Sequence, residues 1–144
     1  MSSSIPSQVP FAVVQLDHVV LRASNSDALV AFYRDIIGLT VERALDIGLV
    51  QLRGGSCLVD IVDCDAELGE LGGPAPQQSA GGMNQDHFCL RIEPFDAEAI
   101  HAHLSNAKAQ PSSVKQVYGA EGVGPSIYCE DPEGNRLELK GPAC

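Results

Sequence analysis

The stretch Asp17-His18-Val19-Val20-Leu21-Arg22 recurs 69 positions later as Asp86-His87-Phe88-Cys89-Leu90-Arg91, and Asp27-Ala28 falls on Asp96-Ala97 in the same ungapped register. Six identities in twelve positions are more than two unrelated strand-then-helix segments of similar composition supply, so the chain reads as an internal duplication. This confines the fold to two copies of one small unit within 144 residues. A half of roughly sixty residues is marginal as an independent core, so the halves share a core or pair with a second chain.

The element pattern repeats as well. In the first half, Val13 to Arg22 is rich in β-formers, Ser24-Asn25-Ser26 offers helix caps, and Leu29, Phe32, Tyr33, Ile36 and Ile37 recur at helical spacing until Gly38. Leu39 to Arg43, Gly48 to Arg53 and Ser56 to Asp63 then read as three strands, the last two joined at Gly54-Gly55. In the second half His87 to Ile92 is a strand, and a helix from about Asp96 turns Ala97, Ile100, Leu104 and Ala107 to one side before Pro111. Val114 to Tyr118, Ser126 to Glu130 and Arg136 to Lys140 complete it, with Asp131-Pro132-Glu133-Gly134-Asn135 as the last turn. The expected fold is α+β, two βαβββ modules forming a curved mixed sheet around a cleft. Residues 1–12 read as a flexible arm, 13–66 as module one, 67–82 as a breaker-rich linker and 83–141 as module two of one domain spanning 13–144.

Nine basic against nineteen acidic side chains give a net charge of −10, a field that repels phosphate backbones and anionic lipids. Nucleic acid and membrane surfaces are therefore not expected partners. No apolar run approaches the roughly 20 residues of a membrane helix. Five scattered cysteines without a Cys-x-x-Cys pair point to a reduced, cytoplasmic setting, and Met1 to Pro10 lacks the features of a secretion signal.

Strand alternation puts His18 on one face with Leu16, Val20 and Arg22, and His87 on one face with Cys89 and Arg91. The closing strand of each half carries a carboxylate, Asp60 amid Cys57-Leu58-Val59 and Ile61-Val62, and Glu138 between Leu137 and Leu139. A charge within such a run is costly to bury unless a cation or strong donors meet it. Two imidazoles and two carboxylates at equivalent positions suit one divalent ion, Zn, Ni, Mn or Fe(II), with places left for water or substrate. The plainer reading makes each histidine an ordinary strand residue, Glu138 a solvated neighbour of Arg136 and Lys140, and Asp60 an edge charge opposing aggregation. Arg22 and Arg91 either hold the anionic end of a substrate or form salt bridges at strand ends. Tyr128 either brings a phenol to the cavity or packs in the core. His101 and His103, two apart on a helix, face different ways, and Cys89 reads as a small core filler.

Leu-Asp-His-Val-Val-Leu (16–21), Ala-Phe-Tyr-Arg-Asp-Ile-Ile-Gly-Leu (31–39) and Ser-Ile-Tyr-Cys-Glu-Asp-Pro-Glu-Gly-Asn-Arg-Leu-Glu-Leu (126–139) together resemble the vicinal oxygen chelate superfamily over about residues 14–141. That group includes glyoxalase I, fosfomycin-resistance thiol transferases, extradiol dioxygenases and bleomycin-resistance proteins. The resemblance implies paired modules around a metal cleft, often in a homodimer, with the ligand positions on His18, His87 and Glu138. Asp60 falls at the fourth, where glyoxalase I usually has Glu. It further implies a lyase or isomerase of glyoxalase type, with Glu138 as proton shuttle and Asp60 second, and with Arg22 at a position that binds a carboxylate of glutathione. The co-substrate would then be glutathione or another thiol. Fe(II) on the same triad, with Tyr128 near a catechol, would make it a dioxygenase, although a second acid-base histidine is missing. Fosfomycin-type thiol transfer fits the triad too, but the arginine that follows the last strand in that group is absent. A binding protein of bleomycin-resistance type, using its acidic surface against a cationic drug, is the non-catalytic alternative.

Overall fold

The computed structural model describes Pro10, residues 12–74 and residues 85–144. The elements run β1 (His18–Ala23), α1 (Ser26–Ala31) with a π-type turn at Phe32–Ile36, β2 (Thr40–Leu45), β3 (Leu49–Gly54), β4 (Cys57–Asp63), α2 (Glu67–Glu70), β5 (Phe88–Arg91), α3 (Ala97–Asn106), β6 (Lys115–Gly119), β7 (Gly122–Glu130) and β8 (Arg136–Lys140). They form two four-stranded sheets of identical topology, β1-β4-β3-β2 and β5-β8-β7-β6. In each, the first strand lies parallel to the last and the remaining pairs are antiparallel. The duplication is therefore structural, as two βαβββ units. Each unit contributes a four-stranded mixed sheet, and among the described residues no ladder joins the two.

Three differences from the sequence reading have local causes. The strand expected from Val13 begins at His18, which pairs with Leu58; ahead of it only the Asp17 and Leu16 carbonyls reach β4, accepting from the Leu58 N–H and from Cys57 Sγ. The hairpin between β3 and β4 turns at Gly55-Ser56, since Gly54 still pairs with Cys57. The expected linker opens with the short α2; most of the expected arm (residues 1–9 and 11), and residues 75–82 of that linker, lie outside the described residues. Among the described residues, no helix is long and apolar enough to cross a membrane.

The helices α1 and α3 are capped by side chains, though at different points of the repeat. Asn25 Oδ1 accepts from the Ala28 N–H and Asp96 Oδ1 from the Ala99 N–H, each at 3.1 Å. Asp27, the sequence counterpart of Asp96, thus sits inside the first turn of α1 instead of at its cap. The ungapped register that relates the strands slips by two residues here.

One hydrophobic cluster serves both sheets: Leu21, Leu52, Val59 and Ile61 from the first pack in it with Ile127, Cys129, Leu137 and Leu139 from the second. Each fully buried aliphatic side chain there contributes about 1.5–3 kcal/mol. The turn after β7 latches the modules together. Asp131, buried, accepts the Tyr33 hydroxyl at 2.8 Å and also the N–H groups of Glu133 and Asn135. Glu133 reaches the start of α1, accepting from Ser24 Oγ at 3.0 Å and from the N–H of Asn25 at 2.9 Å. A carboxylate at a helix N-terminus satisfies donors left over by the helix and complements its dipole.

Candidate functional site

Register explains why each histidine meets a carboxylate. Val20 pairs with Asp60 in the first sheet and Cys89 with Glu138 in the second, and each lies two residues beyond its histidine. Strand alternation then puts His18 with Asp60, and His87 with Glu138, on one sheet face. That face is opposite to Val59 and Ile61, or to Leu137 and Leu139, which enter the shared core.

In the second module, His87 Nε2 lies 3.0 Å from Glu138 Oε1, and Asp86 Oδ2 lies 2.6 Å from His87 Nδ1. Glu138 is 3% exposed, and its Oε2 accepts from Ser126 Oγ at 2.6 Å. The Tyr128 ring stands edge-on to His87, 5.4 Å between centroids, under the Arg136 guanidinium at 4.3 Å. Burial, then the charge of Glu138, pushes the Tyr128 phenol above its ordinary value, so it keeps its proton. Partial burial of the sulfur and the same carboxylate push the Cys89 thiol up to about 11, a poor nucleophile at neutral pH.

The first module holds a looser version. His18 Nδ1 lies 2.8 Å from Asp17 Oδ2; this bond, with Asp60 adding to it against the opposing effect of burial, raises the imidazole above its ordinary value. Asp60 is 4% exposed and takes 3.1 Å from Gln51 Nε2 to its Oδ2, while Gln51 in turn accepts from Arg43. Its other oxygen, Oδ1, is buried without a hydrogen-bond partner among the described residues. An ionised carboxylate with one bare oxygen in low dielectric is expensive, and it calls for a cation.

The structure brings the four expected ligands together as two pairs. Among the described residues no three histidine, cysteine or acidic side chains gather as an ion site. The reason is the common core: both sheets give it their helix-side faces, so the faces carrying His18 and His87 turn away from it. The donor types nonetheless fit a divalent ion. Each Asp-His pair holds Nδ1, the usual arrangement behind a metal-bound imidazole; Nε2 of His18 is left for ligation, whereas Nε2 of His87 meets Glu138 Oε1, itself a donor type for the ion.

Both arginines proposed for substrate are occupied within the fold. Arg22 donates to the carbonyls of Gly69, Gly73 and Pro74, fastening the segment after α2. Arg91 pairs with Glu121 at 2.6 Å and Glu93 at 2.9 Å. His103 Nε2 donates to the Ile36 carbonyl at 2.8 Å, tying α3 to the end of the first helix. Sequence reasoning passed over Asp17 and Asp86, although the repeated Asp-His pair was their signal. It also passed over Gln51 and Ser126, which only strand pairing brings to the carboxylates, and over Lys140.

A sequence profile described as the Glyoxalase/Bleomycin resistance protein/Dioxygenase superfamily matches residues 15–139. Among solved structures, a lactoylglutathione lyase from Agrobacterium tumefaciens is similar at 24% identity and a TM-score of 0.65, covering 90% of this chain and 95% of that one. A virulence protein from Salmonella typhimurium aligns over 92% and 100% of the two chains at 19% identity and a TM-score of 0.71. A genomically encoded fosfomycin resistance protein from Listeria monocytogenes aligns over 92% and 96% at 14% identity and a TM-score of 0.65. At these identities the structures share a fold.

Proposed function

This chain belongs to the glyoxalase/bleomycin resistance protein/dioxygenase superfamily, and from that premise we propose that it is a metal-dependent enzyme acting on a small oxygen-rich molecule, with lyase or isomerase chemistry of glyoxalase type. The observation that carries the reading is the bare, buried Oδ1 of Asp60 on the sheet face that also carries His18. His18, Asp60, His87 and Glu138 would hold the ion, which when bound supplies Lewis acidity toward substrate oxygens. Zn, Ni, Mn and Fe(II) all suit these donors. Glutathione or another thiol is the co-substrate in this reading. Five free cysteines agree with a reduced cytoplasmic setting.

The chain's own residues divide the remaining work. Glu138 accepts the proton from the carbon next to a substrate oxygen, with Asp60 as the second candidate. Ser126 and His87 hold the two oxygens of Glu138 in place. Tyr128, still protonated, offers a hydrogen-bond donor beside them.

The working unit is a homodimer in which module one of one copy meets module two of the other. That pairing unites the two half-sets which, within one chain, turn away from the common core. Leu16 and Val20, 72% and 47% exposed, flank His18 and supply apolar surface for the contact.

Elemental analysis of purified protein tests the metal: stoichiometric ion lost in both His18→Ala and His87→Ala supports the reading, and a metal-free wild type whose stability ignores chelators refutes it. Mixing the two inactive variants tests the pairing. If sites span two chains, the mixture regains about a quarter of wild-type turnover of methylglyoxal with glutathione, since half the dimers are mixed and each has one intact site. If sites lie within one chain, mixing restores nothing.

A further inference from the structure

Lys140, at the end of β8, is 5% exposed, yet among the described residues its ammonium has neither an ion-pair nor a hydrogen-bond partner. The acids around it are engaged elsewhere: Glu121 with Arg91, and Glu138 with His87 and Ser126. Asp60 Oδ1 is the one fully buried side-chain polar atom without a partner among the described residues, so the stem of Lys140 is buried while its unpaired ammonium keeps access to solvent. The fold makes room for it. A Cβ at Gly119 would stand 2.9 Å from Lys140 Cε, and one at Gly124 would stand 3.0 Å from its Nζ. Two glycines thus open a channel the length of the side chain.

Lys140 also lines a cavity of about 370 Å³ together with Cys89, Arg91, Tyr118, Glu121 and Glu138. Of the two cations in this wall, Arg91 is neutralised by Glu93 and Glu121, so a single positive charge remains available. Glu138 and Lys140 alternate on one strand face, about 6–7 Å apart along it.

We infer that Lys140 is the anchor for a monoanionic carboxylate carried by the bound substrate or its thiol adduct, whose reacting oxygens lie at Glu138. The reach is set by the strand: the carboxylate rests on the ammonium while the reacting end stands two residues away. A dianionic phosphoryl group is disfavoured, because one free ammonium within an acidic protein leaves its second charge unmet. The inference rests on the proposed use of the Glu138 face, and it assigns to Lys140 the role that sequence reading gave to Arg22 and Arg91.

The test is a calorimetric titration of the full chain with lactate and with lactamide, its neutral counterpart of nearly equal size, once with chelator present and once with metal. Wild-type protein is expected to bind lactate at least about tenfold tighter than lactamide in both conditions, a preference worth about 1.4 kcal/mol or more. Lys140→Gln removes that preference, and its metal content by elemental analysis stays at the wild-type level. Equal or absent binding of the two compounds by wild-type protein, or a preference surviving in Lys140→Gln, overturns the inference. Because the lactate preference is read with chelator present and the metal is read separately, failure of one leaves the other standing. The wild-type comparison does not depend on the variant folding, and circular dichroism of Lys140→Gln checks its fold.

Discussion

The two half-sites occupy equivalent registers, and their carboxylates differ in length by one methylene. Glu138 is long enough to touch His87 and Ser126 with separate oxygens, whereas Asp60 ends short of any partner for Oδ1 and keeps only Gln51. Equivalent backbone positions therefore produce one carboxylate that is satisfied internally and one that is not. The second module has a self-contained hydrogen-bonded acid; the first has a charge waiting for a ligand. In a duplicated fold, such divergence lets one half hold its geometry while the other depends on what binds.

The largest test of this contrast is metal affinity. If both halves grip one ion, His18→Ala and His87→Ala each weaken binding by more than about 100-fold in competition with a chelating dye. A loss confined to His87→Ala would show that the second half acts alone. Next, Ser126→Ala removes a buried donor from a carboxylate and is expected to cost about 2 kcal/mol in urea denaturation. Asp60→Asn should have the opposite sign in metal-free protein. It removes a partly unpartnered buried charge and stabilises by about 1 kcal/mol, while lowering metal affinity. The smallest effect concerns Cys89. With its thiol raised to about 11, alkylation by iodoacetamide should be slow at pH 8 and accelerate only as pH approaches that value, because the thiolate appears only there. Fast labelling at pH 8 would place Cys89 in a different environment from the one beside Glu138.

Much of this was legible from local pattern. The repeated Asp-His-x-x-Leu-Arg stretch identified the duplication and both histidines, and period-two alternation put a carboxylate in each closing strand. Gly38, with φ of 91°, ends the first helix where the sequence reading stopped it. The roles of Arg22 and Arg91 were not legible. Their position after each histidine is compatible with substrate binding, and only the folded chain reveals carbonyls around one and two glutamates around the other. Lys140 was hidden for the converse reason: as a lysine ending a strand it looks solvated, and its burial depends on glycines 16 and 21 residues earlier.

What the sequence determined alone is the doubled βαβββ plan, with one histidine at the opening strand and one acid in the closing strand of each copy. Both follow from short-range periodicity and strand alternation, which act within a few residues. The tertiary structure decided that the two copies give the same side to a common core, turning their histidine-bearing faces away from it. It decided as well which charges are neutralised and which remain open. Those outcomes depend on contacts between segments up to about a hundred residues apart, such as Tyr33 with Asp131, and no local spacing encodes them.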